Sequence, residues 1–456
     1  MINDTAVLDG VMETDSPQET SARTILSGIP EGRSADHLPV WFHERQQIAW
    51  SRFASLPMPA RKDQPWRFSN VAALDLTPFR LGEVLRHAQR SEILERSVGL
   101  RGVAGRIIFA DDHLLRRDPL SEKLRQLGVV FQPLERAMIE HEELFRKHFM
   151  SQPTRLGSEK FAALHEALVT SGTFIYVPRG VEVELPIEIF HWLHKDDASV
   201  FPHMLLVADE LSKVTVIEHF RSTHPRRRGF ACGVNDLVAG RGAKIRYVCA
   251  QSWSDNVVAV QVNTTTADRD ASAMSLNVNL GGGYSRFESF SRLTGEGARS
   301  DLLAVSVGEG SQEFDARTLQ SHESPHTTSD LLYKNSLSDR ARATFGGLIR
   351  VEPHAHFTDA YQTVRNLLLS DDAEANSMPG LEIMADNVKC SHGATSGQLD
   401  PDEMFYLLAR GISAPVAQQL LVKGFLNEVV LRFDNPALAA KVHELINAKF
   451  ARIPRS

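Results

Sequence analysis

From Gly172 to about Thr395 the chain offers no convincing helical window, and a gap of roughly 220 residues restricts the fold more than any single motif. Short β-branched and aromatic runs follow one another through it, among them TFIYV, VEVELPIEIF, KVTVIEHF, KIRYVCAQ, VVAVQVNTTT, SAMSLNVNL and ATFGGLIRV. Glycine-bearing breaks (PRG, GRG, GGG, and GEG twice) punctuate them, as turns punctuate strands. The stretch is too long for one ordinary sandwich, and it lacks two-residue hairpin signals such as Asn-Gly. A stacked all-β solenoid accommodates it, each coil burying its face on the next. The sequence yields no strict repeat period, so a pair of sandwiches stands as the alternative.

The flanks read differently. Residues 37–171 form a mostly helical region, in which WFHERQQIAWSRFASL places Trp41, Phe42, Ile48, Trp50 and Phe53 at helical spacing. GSEKFAALHEALVTSG opens on a cap candidate, Ser158. Three prolines in LPMPARKDQPWRFSN forbid a helix interior, so this is an ordered arm in which Trp66 and Phe68 call for burial. Residues 1–36 are acidic and lack both a basic start and an apolar run. They read as a disordered lead-in, neither a secretory signal nor a transit peptide. After the β-core, 172–398, a helical domain is expected over 399–456. Asp400 and Pro401 start its first helix, Val416, Leu420, Leu421, Gly424 and Phe425 form a stripe on the second, and Asn435 and Pro436 start the third. Such a tail caps the core, docks a partner, or does both.

Bulk chemistry narrows the function. A net charge of -7 argues against a general nucleic-acid or anionic-membrane binder, and HPRRRG at His224 reads as a solvated loop. Cys232, Cys249 and Cys390 show no disulfide spacing, which points to a reducing, cytoplasmic setting. No run is long and apolar enough to span a bilayer. There is no phosphate-binding G-x-x-x-x-G-K-[ST], since AGRGAKI lacks the ending; nor is there G-x-S-x-G or H-E-x-x-H. An ATP-driven step would belong to another subunit. Glu309, Glu313 and Asp315 could furnish the clustered carboxylates of a polysaccharide-acting β-helix enzyme, though secretion would then be expected.

Histidines and cysteines supply the remaining candidates. In CSHGAT, Cys390 and His392 are soft-metal ligands at i and i+2, on one face of an extended segment. Two ligands do not complete a site, and a buried thiol beside a hydrogen-bonded histidine is the competing reading. His354, His356 and Asp359, with His322 and His326, form weaker clusters that read first as hydrogen-bonded or exposed groups.

The motifs TSDLLYK (Thr328–Lys334), TDAYQ (Thr358–Gln362), RNLLLS (Arg365–Ser370), Leu381–Asp386 and CSHGAT closely resemble the SufB/SufD family of the SUF iron–sulfur cluster assembly system. VPRGVEVELPIEI and the arm PARKDQPWRFSN add to the resemblance, with Gln64 and Pro65 departing from the usual acidic pattern. Leu407 stands where SufB-type chains carry a cysteine, so the resemblance favours the SufD branch. Val364 and His356 depart from amides usual in relatives. The resemblance implies a right-handed parallel β-helix flanked by helices, acting as a non-catalytic scaffold subunit. It implies a complex with a SufB-like subunit and two copies of the ABC-type ATPase SufC, and a homodimer is an option for the chain alone. It also implies transient iron or Fe–S cluster at the subunit interface, with His392 and, as a candidate, Cys390 as ligands. The ATPase would grip Met404, Phe405, Leu408, Val416, Leu420, Leu421, Gly424, Phe425 and Glu428. A flavin on the complex is not predicted from these residues. The competing readings are a purely structural ATPase-docking arm and the β-helix enzyme.

Overall fold

The computed structural model describes residues 24–29 and 38–452. From Thr173 to Gly397 the chain winds into a parallel β-solenoid of about 8 turns. Its two sheets are built from alternating strands, and the pair-of-sandwiches alternative falls away. Register sets the repeat: Lys244 lies beside Ser272, then Arg299, Thr328, Asp359 and Lys389 on successive coils. Each coil therefore consumes roughly 30 residues, within the span of structural repeats that contact only their neighbours.

Columns of like residues run through the interior. Gln251, Asn279, Ser306, Asn335, Asn366 and Ser396 share one position on successive coils. Asn335 Nδ2 donates to Asn366 Oδ1 at 2.8 Å, and Asn366 Nδ2 donates to Ser396 Oγ at 3.2 Å. Stacked amides of this kind satisfy one another inside the coils. The outer face of one sheet is buried too. Ile217, Val248, Leu276, Leu303 and Leu332 pack against Val422, Leu426, Val429 and Phe433 of the C-terminal helices. Each such side chain contributes on the order of 1.5–3 kcal/mol by burial. Strands covered on both faces lose their polar alternation, which explains runs such as DLLAVSV.

Both sheets begin in the region read as helical. The strand Gly105–Ala110 pairs with Ile187–Leu193 and forms a hairpin with His113–Asp118, and Val130–Pro133 pairs with Thr173–Val177. The hairpin turns at Asp111 and Asp112, both at positive φ (46° and 64°), a geometry usually announced by Asn-Gly. Buried and desolvated, the Asp111 carboxyl is pushed up to about 6, even though it accepts the amides of His194 and Lys195.

Several local expectations change. Most of the lead-in 1–36 lies outside the described residues. Within 24–29, however, Ile25 is fully buried and its amide donates to Phe79 O at 3.1 Å, so this stretch is anchored by an apolar plug. Phe42 and Phe53 pack inward as expected from the first helix, Val40–Ser55, but Ile48 is 70% exposed. Trp66 is buried and donates to Gly157 O at 2.9 Å, whereas Phe68, at φ 67°, turns outward. Ser158 makes no cap hydrogen bond: its hydroxyl donates instead to Glu288 Oε1 at 2.6 Å.

Candidate metal and docking site at the open end

At its far end the solenoid stops on the strands Glu374–Ile383 and Lys389–Gly397, with no further strand paired beyond either among the described residues. Register puts Cys390 beside Ala360 and His392 beside Gln362. Ala360 and Gln362 are buried in the coil interior, so alternation assigns Cys390 and His392 to that same inner face. His392 is exposed because no coil covers it, while Cys390 is half-buried near Ile349, Val351 and Ala360. Burial raises the Cys390 thiol and the Asp359 carboxylate raises it further, against a hydrogen bond involving the Ala360 backbone. The residue is thus held as a protonated thiol.

Gln362, beneath His392, went unread in the sequence although TDAYQ was singled out. It is 1% exposed, and neither end of its amide has a hydrogen-bond partner among the described residues. The amide lies against Gly347, where a Cβ would come within 2.5 Å of Oε1. Only the strand register, which the sequence does not carry, reveals that this amide shares the inner face with His392.

No group of three or more His, Cys, Asp or Glu side chains suited to a metal occurs among the described residues. In the other clusters His354 is exposed and Asp359 Oδ1 lacks a partner among the described residues, while the remaining histidines are engaged within the chain. His322 is buried between Thr327 Oγ1 (2.8 Å) and Ser329 Oγ (3.0 Å), His326 stacks on Phe357, and His356 meets Asp386 O at 3.1 Å. The carboxylates proposed for polysaccharide chemistry are occupied as well. Asp315 is held by Arg286 and Arg317 (each 2.6 Å), Glu313 accepts from Asn70 at 3.0 Å, and Glu309 pairs with Lys449 at 2.5 Å. Asp315 is buried and ion-paired, and Glu309 and Glu313 are half-buried and already bonded, so the three do not form an exposed acid–base pair, and this cluster gives no support to that enzyme reading.

The docking residues separate into two sets. The helix Pro401–Leu408 is capped by Asp400, whose carboxylate accepts the Asp402 amide, and it presents Phe405 (72%) and Leu408 (43%) to solvent. On Ala414–Leu431, Val416 and Leu420 are exposed apolar residues and Gly424 is exposed at the next i+4 step. Met404 and Leu421 are half-buried. Phe425 and Glu428 turn to the solenoid instead. Lys334 donates to Phe425 O at 2.7 Å, lies over the Phe425 ring and pairs with Glu428 at 2.6 Å, and Arg365 adds a second pairing at 3.3 Å. These two residues fix the helix to the β-core, with the Glu428 side chain still 42% exposed.

Fold and site together define a class: a β-solenoid covered by helices at one end, whose other end is an unpaired double edge carrying a histidine and a cysteine. The sequence matches the profile of the SUF system FeS cluster assembly SufBD core domain over residues 191–425, and that of the SufBD protein N-terminal region over 34–189. The chain belongs to the SufBD family. It is 29% identical to the iron–sulfur cluster assembly protein SufD of Bacillus subtilis over 86% of this chain and 90% of that protein. SufB of the same organism is 28% identical over 67% of this chain and 66% of its own length. A SufBD family protein of Synechocystis is 25% identical over 89% and 90%. The near full-length match to SufD, against a two-thirds match to SufB, makes the chain SufD-like.

Proposed function

We propose that this chain is the SufD-type subunit of a SufB–SufC–SufD scaffold and contributes His392 to iron entry and cluster formation at the interface with a SufB-like subunit. The carrying observation is that His392 stands on the inner face of the last, uncovered coil. A partner coil placed there would pair the free strand edges and complete the ligand set from its own side. Cys390 is the candidate second ligand, supported by its place on the same face. Iron and sulfide are cargo here: a half-built site releases what a closed four-ligand site would retain. The chain itself is non-catalytic in this reading and works in the cytoplasm. The ATPase belongs to two SufC copies, one of which docks on Phe405, Leu408, Val416, Leu420 and Gly424, with Met404 and Leu421 at the rim.

The test is anaerobic reconstitution of the purified complex with His392→Ala, followed by the visible absorbance of the cluster. We expect cluster formation to be lost while SufB-like and SufC-like subunits still co-elute. Normal cluster yield would refute the metal role and leave the structural docking arm, which the exposed helix face supports by itself.

A further inference from the structure

A cleft of about 1180 Å³ lies between the helix Pro436–Phe450 and the flank of the solenoid, and no residue of the last two strands lines it. Three arginines reach it from separate elements: Arg96 at the end of the helix His87–Arg96, Arg221 on the strand Lys213–Ser222, and Arg452 just past the last helix. Arg221 is half-buried. Its guanidinium lies 5.4 Å from the Phe190 ring centre and 5.7 Å from that of Trp192, and its hydrogen bond to Arg96 O is a long 3.4 Å.

Charges drawn out of water are normally paired, yet no carboxylate among the described residues lies within ion-pair distance of Arg221. The two carboxylates whose fields reach it are committed elsewhere: Glu188 to Arg106 (2.7 Å) and His219 (3.3 Å), and Glu444 to Lys441 (2.9 Å). Burial, with the charges of Arg96 and Arg452, holds the Arg221 guanidinium below its ordinary range. The acids on the cleft wall are also engaged within the chain. Glu309 takes Lys449 (2.5 Å), Asp255 accepts from Gln312 Nε2 (3.2 Å) and Asp339 accepts the Gly310 amide (2.8 Å). Arg96 pairs with Glu92 (3.1 Å), so Arg221 and Arg452 are the cleft's cations without a carboxylate partner among the described residues, while Asp255 and Asp339, bonded only to neutral amides, keep their charge.

The lining also selects against a flat apolar ligand. Trp192 is 3% exposed beneath Arg96 and Arg221, so no ring face is offered for stacking. Ser222, Ser254 and Ser311 line the walls instead. Guanidinium forks with hydroxyl donors suit tetrahedral oxyanions that accept several hydrogen bonds at once.

We propose that this cleft is a binding site for a small phosphate-bearing polyanion, held between Arg221 and Arg452 with the Ser222 and Ser311 hydroxyls on its remaining oxygens. The site is separate from the open end, so its failure would leave the assembly reading untouched. The test is calorimetric titration of the full chain with pyrophosphate at fixed ionic strength, with sulfate as the control anion. We expect saturable binding tighter than that of sulfate, weakened about tenfold or more by Arg452→Gln and by Arg221→Lys, which keeps the charge but loses the fork. Arg226→Gln, on the neighbouring loop outside the cleft, should leave binding unchanged, and thermal melts establish that each variant folds. Absence of saturable pyrophosphate binding, equal affinity for sulfate, or equal binding by the Arg452 and Arg221 variants would overturn the proposal.

Discussion

Arg286 holds the N-terminal arm against the solenoid. Fully buried, it donates to Glu288 Oε1 (2.7 Å), to Asp315 Oδ2 (2.6 Å), and to the carbonyls of Leu156 (2.7 Å) and Pro65 (3.1 Å), with its guanidinium 3.7 Å from the Trp66 ring centre. Burial alone would raise the Asp315 carboxyl, but Arg286 and Arg317 outweigh it and hold the group below its ordinary value. Breaking a buried pair leaves a charge without a partner, so Asp315→Ala should destabilise the chain by about 3–5 kcal/mol. Urea unfolding measures that loss. Limited trypsin digestion should then cut at Arg61 and Lys62, on the freed arm, faster than in the parent chain. A variant within about 0.5 kcal/mol of the parent, the range of an ordinary surface change, would show that the arm is held by apolar contacts alone. The need to bury Trp66 was legible in the sequence. Its cation partner was not, because Arg286 is 220 positions away and only coil stacking brings the two together.

The coils share a corner that the sequence conceals. Gly180, Leu211, Gly242, Asp270, Gly297, His326, Phe357 and Asn387 all adopt positive φ at one equivalent turn. Each amide but that of Asn387, on the last coil, donates to a carbonyl one coil further on, as in Leu211 to Arg241 (2.7 Å), Gly242 to Arg269 (2.8 Å) and His326 to His356 (2.9 Å). A search for glycine at a fixed interval fails because five of the eight positions hold other residues, and turn lengths vary from coil to coil. The strand texture made the solenoid legible, while its period was written in backbone conformation. The same limit hid the site: Cys390 and His392 were legible as a same-face pair, but that face became the coil interior only through pairing with Asp359–Leu368. The left-handed region costs an L-residue roughly 1–2 kcal/mol, and asparagine tolerates it best after glycine. Leu211 is 57% exposed, so Leu211→Asn should gain about 0.5–1 kcal/mol, read as a higher urea midpoint at unchanged slope. Gly242→Ala should lose about 1–2 kcal/mol, since its new Cβ would also sit 2.7 Å from Leu211 Cδ2. No gain at 211 would mean that the leucine side chain offsets its backbone strain through contact with the next coil.

The whole molecule is asymmetric, with its first coils sealed under helices and its last coil uncovered, and its titratable interior follows that division except for His322, which lies on a later coil. His165 meets His203 at 3.1 Å in the joint between the helix Glu159–Leu168 and the first coils, and His219 lies against Glu188. Burial pushes His165 and His219 down to about 4, His322 likewise, and His203 well below its ordinary value. An unfolded chain protonates these four groups near pH 6.5 while the folded chain does not, so the stability they confer is present above 6.5 and is lost as pH falls toward 4. Asp111 and Asp236 act in the opposite sense. Raised to about 6 by burial, they give stability that is fully present below about pH 4 and lost as pH rises through 6. Among these six groups the four histidines outweigh the two carboxyls, so unfolding between pH 6 and 5 takes up an excess of about two protons on them, a slope on the order of 3 kcal/mol per pH unit. Stability should therefore begin to fall just below pH 7, before the carboxyls can offset it, and continue falling to pH 5. Chemical unfolding at matched ionic strength measures the slope, and hydrogen exchange locates it: protection should weaken first across 159–168 and 203–208, ahead of the coils toward the open end. A stability curve flat from pH 7 to 5 would mean that the sealed end admits protons without opening, and the division between a pH-sensitive joint and an insensitive working end would fall with it.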